Sequence, residues 1–261
     1  VNLSSATTLD LSYEYADHER FIDRGVPTMN GEPVEAFDET VFGDPDINLT
    51  TLEADIFRGS LNHEFSETSK AVFSITSSEF EKMYRNLYAS GYDGTLVTMD
   101  GYEDPTEREN LIISANLINE LTIGSTKHTL LIGTEMVDTD NSNLRYDTYW
   151  STTQSDKESF QVTRPMDFSV NSAGDATSVD FTTKLKSKTE SEIEVTSFYI
   201  QDQIDVNDNL KLMLGARVDT FDITVKDIKS GTSQSREDDE VSPRAGPVSY
   251  THLTLPTSLI V

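Results

Sequence analysis

The sequence predicts an all-β fold: part of an antiparallel transmembrane β-barrel with about seven or eight strands, long extracellular loops and short periplasmic turns. Three observations support this prediction. Apolar and polar residues alternate with a period of two in several segments, the pattern of a strand with one apolar face. The connections between these segments alternate between long and short. Only 36% of the 261 residues are hydrophobic, which is little for a thick apolar core.

The first three predicted strands lie between residues 8 and 75. The first has apolar side chains at every second position, namely Leu9, Leu11, Tyr13 and Tyr15. Residues 17–51 are rich in Asp, Glu, Gly and Pro and are predicted as a long loop. The next two strands form a hairpin around the tight polar turn 66–70. Their apolar faces are formed by Phe57, Leu61 and Phe65, and by Ala71, Phe73 and Ile75.

Two further hairpins and a last strand follow, separated by regions without a clear period. Residues 83–109 and 138–193 are predicted as irregular, except that residues 160–170 could hold a short strand pair. Between them, strands 111–123 and 130–136 are joined by the turn 124–127. The clearest pair is 198–206 and 210–218, joined by the turn 207–209. A shorter acidic loop at 226–240 precedes a last strand at 241–250.

The lengths of the connections favour a membrane barrel over a soluble sandwich. Each predicted strand has about the 9–11 residues of a tilted membrane-spanning strand. The regular order of long and short connections places all short turns at one end of the barrel. Sandwich proteins also contain alternating strands, but their connections do not sort in this way. In a membrane barrel the apolar face meets lipid and the polar face lines the lumen, so the low hydrophobic share is expected.

The charge of the chain excludes several classes of function. With 46 Asp and Glu against 20 Lys and Arg, the net charge is −26, which argues against a nucleic-acid partner. The chain has no Cys, so it has no disulfide, thiolate metal site or Cys nucleophile. The N-terminus lacks the basic and apolar regions of a signal peptide, so we expect a mature chain or a piece of a longer one.

The sequence offers no catalytic constellation, and we predict that the protein is not an enzyme. The four histidines, His18, His63, His128 and His252, are scattered, and the common zinc-protease and nucleophile-elbow motifs are absent. We predict no cofactor and no dedicated metal site. Residues 138–143 begin like a calcium-binding loop, but Asn143 and Tyr149 replace the Gly and Glu that such a loop requires. We interpret this stretch as an acidic loop, with loose calcium binding as an alternative.

Aromatic residues outside the predicted strands are the candidates for ligand binding. Such rings combine a large contact area with a polar group. The candidates are Tyr88, Tyr92, Tyr102 and Trp150. The alternative, which we favour in general, is that loop aromatics belong to the girdle at the membrane boundary or pack the loops together. The Asp23-Arg24-Gly25 turn is interpreted as structural, because Gly adopts a permissive φ.

Several motifs resemble the outer-membrane TonB-dependent siderophore receptors. They are DRGVP at 23–27, FGDPDIN at 42–48, RGSLNHEF at 58–65, HTLLIGTEM at 128–136, SFYIQDQIDVNDNLKLMLGARVDTFD at 197–222 and VSPRAG at 241–246. Each motif is weak alone. Their order and spacing over residues 9–246 make the resemblance specific.

The resemblance implies that residues 1–246 are similar to an internal segment of the receptors' β-barrel domain. Plugged outer-membrane transporters have about 22 strands, many more than are predicted here. The family also has an N-terminal plug domain, for which this sequence has no counterpart. Residues 247–261 do not resemble the continuation of the barrel, and we predict that they are a foreign or frame-shifted tail.

By this resemblance, the protein is expected in the outer membrane of a Gram-negative bacterium, in contact with its lipid. Extracellular loops would capture a ferric siderophore, and the energy-transducing TonB complex would act through the plug to release it inward. Acidic loops would repel anions, so a neutral or cationic iron chelate is expected. The alternatives are another nutrient, such as a vitamin or an oligosaccharide, and a secreted β-structured binding protein without a transport role.

Overall fold

The computed structural model of the chain describes residues 1–207 and 209–249. Among these residues, no helix is long and apolar enough to cross a membrane. One short 3-10 turn covers Glu35–Phe37. The strands, in chain order, are β1 (Thr7–Phe21), β2 (Thr28–Met29), β3 (Glu32–Pro33), β4 (Leu49–Ser66), β5 (Ser69–Tyr92), β6 (Leu96–Ile123), β7 (Thr126–Trp150), β8 (Glu158–Gln161), β9 (Val179–Asn207), β10 (Leu210–Asp227) and β11 (Thr232–Ser249).

Eight long strands form one antiparallel sheet in the order β1-β4-β5-β6-β7-β9-β10-β11. Each long strand pairs with the next one along the chain, so the sheet is an up-and-down meander. The short strand β8 pairs with the outer end of β6, and β2 and β3 form a small separate ribbon. Within the described residues, β1 and β11 are the two ends of an open sheet. The predicted all-β antiparallel barrel segment with seven or eight strands is confirmed.

The prediction of irregular structure at residues 83–109 is wrong. Strands β5 and β6 continue through this region and meet in a tight turn at residues 93–95. The carboxylate of Asp93 accepts the N–H groups of Thr95 and Leu96, both at 2.8 Å, and Gly94 takes a φ of +100°. The excursion is long, as expected, but it is an ordered hairpin. Its apolar period is interrupted because the face that is apolar at residues 111–123 carries acidic residues such as Glu81, Glu103 and Glu107 here.

The bounds of the three other predicted loops also change. The first long connection is residues 22–48 rather than 17–51, and it contains β2 and β3. Strand β7 extends to Trp150 and β9 begins at Val179, so the irregular connection is residues 151–178 rather than 138–193. The predicted strand pair in it is a single strand, β8. The predicted acidic loop at 226–240 is the β10–β11 hairpin, with a turn at residues 228–231. Strand β11 includes residues 247–249 of the predicted tail; residues 250–261 lie outside the described residues, and the foreign origin of the tail stays a prediction.

The sheet has one apolar and one polar face, and the strand register shows this directly. One row of paired residues crosses all eight strands on the apolar face: Leu9, Leu61, Phe73, Ala115, Thr134, Phe198, Val218 and Val241. The neighbouring row lies on the polar face: Asp10, Ser60, Ser74, Ser114, Glu135, Ser197, Asp219 and Glu240. Side chains of the apolar face are widely exposed; Leu11 is 60% and Phe198 is 62% exposed.

The apolar face has the height of a membrane. On β6 its apolar residues extend from Leu111 to Ile123, interrupted by Asn119. At about 3.3 Å per residue, this is about 40 Å along the strand. A strand tilt of about 40° reduces it to about 30 Å across the membrane, close to the apolar band of about 25 Å found in outer-membrane barrels. We therefore call this part of the apolar face the lipid belt.

An acidic collar lies directly above the lipid belt on the same face. Each of five consecutive strands, from β4 to β9, carries two acidic residues at successive positions of this face. They are Asp55 and Glu53, Glu79 and Glu81, Glu109 and Glu107, Asp138 and Asp140, and Glu194 and Glu192. Carboxylates are costly in hydrocarbon, so the collar marks the upper limit of the lipid belt. Much of the negative charge of the chain is therefore concentrated outside the membrane.

The two faces predict opposite effects for the same substitution. Leu117→Lys places a charge in the middle of the lipid belt and should lower the free energy of unfolding by about 2–4 kcal/mol. Ser114→Lys lies on the polar face, opposite Glu135 in register, and should cost far less. Urea unfolding of the protein refolded into lipid vesicles measures the free energy of unfolding of both variants. Equal losses for the two variants would contradict the assignment of the faces.

Candidate functional site

The four predicted ligand residues lie in strands rather than in loops. Tyr88 and Tyr92 belong to β5, Tyr102 belongs to β6, and Trp150 ends β7. The prediction that they lie in loops is therefore wrong, for the reason given for residues 83–109. All four are above the lipid belt, at the extracellular end. Their part in ligand binding stays a prediction.

Trp150 and Tyr92 pack loops onto the sheet. Trp150 is fully buried, with its ring 5.0 Å from that of Phe160, and Tyr92 meets Phe37 edge-on at 5.0 Å. Trp150 belongs to a cluster of buried apolar residues that we call the extracellular core, and Tyr92 packs against it. Its buried members are Phe42, Leu87, Val97, Met99, Trp150, Phe160 and Phe181. These residues come from both long connections, the second through β8, and from β5, β6, β7 and β9, so the core fastens residues 22–48 and 151–178 to the sheet.

Asn48 fixes the first long connection to β5. Its side chain is fully buried. Its amide donates to the carbonyl oxygens of Ile22 at 3.1 Å and Leu87 at 2.8 Å, and its Oδ1 accepts the N–H groups of Leu87 and Asp44, each at 3.1 Å. Both polar atoms of a buried amide are thereby satisfied. The connection is held as a rigid part of the extracellular end.

Tyr102 is the centre of an aromatic cluster on the opposite, polar face of the same strands. Its ring stacks on Tyr84, with centroids 5.8 Å apart and planes at 22°, and meets Tyr88 at 6.3 Å and 70°. Residues 84 and 88 of β5 and 102 of β6 share this face because side chains alternate along a strand. Burial raises the pKa of Tyr88. Tyr88 and Tyr102 are thus brought together as predicted candidates, whereas Tyr92 and Trp150 lie in or against the extracellular core.

Two arginines from different elements join this cluster. Arg24, in the first long connection, donates to the Tyr102 hydroxyl at 2.8 Å and lies 4.8 Å from the centroid of the Tyr88 ring. The guanidinium of Arg145, from β7, lies 3.9 Å from the centroid of the Tyr102 ring. Both distances are within the range of cation–π interaction. The predicted structural turn places Arg24: Gly25 has a φ of +81°, and its N–H donates to Asp23 at 3.0 Å.

A cavity of about 420 Å³ opens beside Tyr102 on the polar face. It is lined by Lys82, Tyr84, Tyr102, Asp104, Thr106, Asn143, Leu144, Arg145, Ser187 and Thr189. The β6–β7 ladder is interrupted here, since the pairs Glu103–Tyr146 and Thr106–Asn143 have no paired residues between them. Pro105 lies in this gap and has no N–H to contribute. The two strands keep the same register on both sides of this gap.

The cavity combines opposite charges with stacked rings. The carboxylate of Asp104 lies 3.3 Å from Nε of Arg145, and Asp104 is paired with Tyr84 in the β5–β6 ladder. Burial raises the pKa of Asp104, although Arg145 and Lys82 act in the opposite direction. The arrangement can hold a ligand that presents aromatic rings or anionic oxygens. We call it the tyrosine–arginine pocket, including Arg24.

The sequence contains a signal for this pocket that the search for apolar periods missed. Lys82, Tyr84, Asn86 and Tyr88 alternate with a period of two, as do Tyr102, Asp104 and Thr106. Because the opposite face is acidic at Glu79 and Glu81, the pattern is not one of hydrophobicity. It becomes visible only when aromatic and basic residues are followed together.

The acidic stretch at 138–143 is part of strand β7, so its interpretation as a loop is wrong. Successive side chains of a strand point to opposite faces, and this geometry does not wrap a calcium ion. Over residues 1–207 and 209–249, no three His, Asp or Glu side chains are grouped so as to hold a metal ion. Calcium binding at this stretch stays a prediction.

The sequence matches the family model described as TonB dependent receptor-like, beta-barrel, over residues 1–258. The chain therefore belongs to the β-barrel family of TonB-dependent receptors. No curated protein matches the sequence. The recognised resemblance to this family is confirmed.

Solved structures with a similar fold are ferric-chelate receptors. The siderophore receptor PiuA from Acinetobacter baumannii matches with a TM-score of 0.76 and 19% identity over 94% of this chain and 38% of that receptor. BauA, the ferric preacinetobactin receptor of the same species, matches with a TM-score of 0.73 and 15% identity over 95% of this chain and 36% of that receptor. The outer-membrane ferripyoverdine receptor of Pseudomonas aeruginosa matches with a TM-score of 0.68 and 13% identity over 96% of this chain and 32% of that receptor. This chain spans about a third of the length of these receptors.

The hydrogen bonds of Asn48 predict how the first long connection is held. Asn48→Ala removes four hydrogen bonds of about 1 kcal/mol each, so the free energy of local opening of residues 22–48 should fall by about 2–4 kcal/mol. Hydrogen exchange of the Leu87 amide and of this connection measures the change. Asn62→Ala is the control, because its amide makes only long, partly exposed contacts at 3.4 and 3.5 Å. Unchanged exchange in Asn48→Ala would contradict the role assigned to Asn48.

Proposed function

We propose that the protein is a TonB-dependent outer-membrane receptor that imports a ferric siderophore into a Gram-negative bacterium. The tyrosine–arginine pocket is the proposed site of capture. The observation that carries the proposal is the position of this pocket: it lies on the polar face, which lines the lumen in a barrel, and above the lipid belt, where a ligand arrives from outside. Membership of the receptor family and the fold shared with ferric-chelate receptors support it.

The charge of the pocket favours an anionic chelate. Lys82 and Arg145 line the cavity, and Arg24 adjoins it through its hydrogen bond to Tyr102, so three positive charges stand against the one negative charge of Asp104. This local excess is positive, although the chain as a whole carries −26. Iron chelates present oxygen atoms and, in many cases, aromatic rings, which suit arginine and stacked tyrosines. The net charge of the chain led to an expectation of a neutral or cationic chelate, and the pocket favours the opposite choice.

The exposed lipid belt argues against the rival of a secreted binding protein. Soluble proteins rarely expose a continuous apolar surface of this extent. Leu11, Leu117 and Leu214 are each more than a third exposed, and they belong to one face that crosses the whole sheet. Another nutrient, such as a vitamin or an oligosaccharide, stays the alternative cargo. The three basic side chains of the pocket make the chelate the better candidate.

The proposed transport step requires partners outside this chain. In the family, a plug domain closes the barrel and is contacted by TonB from the periplasm. We propose that the same holds for the receptor that contains this barrel segment, so that energy from TonB releases the bound chelate inward. This chain would then supply the extracellular capture site and part of the lumen wall.

Transport can be tested by growth under iron limitation. The complete gene should restore growth of a receptor-deleted host on at least one chelate from a panel of ferric siderophores. The rescue should disappear when TonB is removed. The panel contains only chelates on which the deletion host does not grow without the gene. If the gene product is present in the outer membrane but restores growth on none of these chelates, the proposed cargo is contradicted.

The pocket can be tested by direct binding. Arg145→Met should weaken binding of the rescuing chelate about tenfold or more, because a hydrogen bond to a charged group contributes about 1.5–3 kcal/mol. Arg108→Met is the control: Arg108 is on the polar face of β6 but does not line the cavity, and it bonds Asn141 at 3.2 Å. Titration of each purified variant with the chelate measures its binding affinity. Equal affinities for the two variants would place capture elsewhere.

A further inference from the structure

Asp104 occupies a distinctive place in the tyrosine–arginine pocket. Among the described residues that line the cavity, it is the one acidic side chain, and it shares the cavity with the basic side chains of Lys82 and Arg145. Its carboxylate is 3.3 Å from Arg145. About a third of its side-chain surface is exposed. A ligand bound beside Arg145 therefore meets a fixed negative charge.

This carboxylate already occupies part of the space that an anionic group of a ligand would take. It offsets one of the two positive charges that line the cavity, leaving a net charge of +1 there. Each additional negative charge on a ligand is repelled by Asp104 as well as attracted by Lys82 and Arg145. Because the group is half-buried, this repulsion is screened less than at the open surface.

We propose that Asp104 determines which charge class of ferric chelate the receptor accepts. It limits the preference of this net positive pocket for anions, because it lowers the affinity for a highly anionic complex, such as a trianionic tris-catecholate, more than the affinity for a complex of low charge. This inference rests on the proposed function, since it assumes that the pocket binds a ferric chelate. It assigns Asp104 a role in specificity through unfavourable interaction with the wrong ligand, rather than through attraction to the right one.

A purely structural role is the competing explanation, because Asp104 also orients Arg145. Asp104→Asn separates the two. The asparagine keeps an oxygen that can accept a hydrogen bond from Arg145, but it removes the charge. A structural role predicts little change in relative affinity for chelates of different charge. A role in charge selection predicts a change that grows with the charge of the ligand.

The test measures binding of two iron(III) complexes to the complete receptor purified in detergent: a neutral tris-hydroxamate and a trianionic tris-catecholate. In Asp104→Asn, the affinity for the trianion relative to the neutral complex should rise about tenfold. Lys82→Met removes a positive charge from the same cavity and should shift the ratio in the opposite direction. Asp104→Ser removes the same negative charge with a smaller side chain, should also raise the ratio, and decides the matter if Asp104→Asn fails to fold.

The matched control is Asp140→Asn, which makes the same change in net charge in the acidic collar on the other face of the sheet. It should leave the ratio unchanged. Equal ratios in Asp104→Asn and Asp140→Asn would overturn the role of Asp104 while leaving the proposed function intact. If the unmodified receptor binds neither these complexes nor any other ferric chelate, the proposed function itself fails and this inference falls with it.

Discussion

The structure depends on one constraint: each membrane-spanning strand must present apolar side chains to lipid on one face and polar side chains to water on the other. A strand meets it by the alternation of its side chains, since successive residues point to opposite faces. In this chain the same alternation crosses eight strands in register, from Leu9 to Val241 on the apolar face and from Asp10 to Glu240 on the polar face. A one-residue slip in any strand would exchange the two sets, so the membrane itself enforces the register.

Above the membrane the same strands continue, but the face that was in contact with lipid now meets water or packs against the long connections. The apolar face becomes the acidic collar and then the extracellular core, which is covered by the two long connections. The polar face continues without interruption into the tyrosine–arginine pocket. The pocket is therefore supported from behind by packed side chains such as Leu87 and Met99. Its tyrosine rings and Arg145 stand on strands, and Arg24 comes from the first long connection. Binding residues held in this way need little reorganisation when a ligand arrives.

The sequence predicted the fold where lipid imposes a simple pattern and failed where it does not. Strands 111–123 and 198–206 were predicted because their apolar residues alternate. Residues 83–109 were misjudged because, outside the lipid belt, a strand can carry Glu on one face and Tyr or Lys on the other. Tyr88 and Tyr102 were identified as candidates by residue type and by their distance from the predicted strands. Asp104 and Arg145 were missed because their meeting depends on the β6–β7 register and on the gap at Pro105, which no local pattern encodes.

The assignment of the two faces can be tested most directly by a spin-label scan of strand β6. The chain has no Cys, so single Cys residues can be introduced at positions 107–123 and labelled in the receptor reconstituted into vesicles. From 111 to 123, odd positions should be more accessible to oxygen and even positions to a water-soluble nickel complex. At 107 and 109, in the acidic collar, the oxygen preference should disappear. Accessibility without a period of two, or lipid exposure of the even positions, would contradict the account.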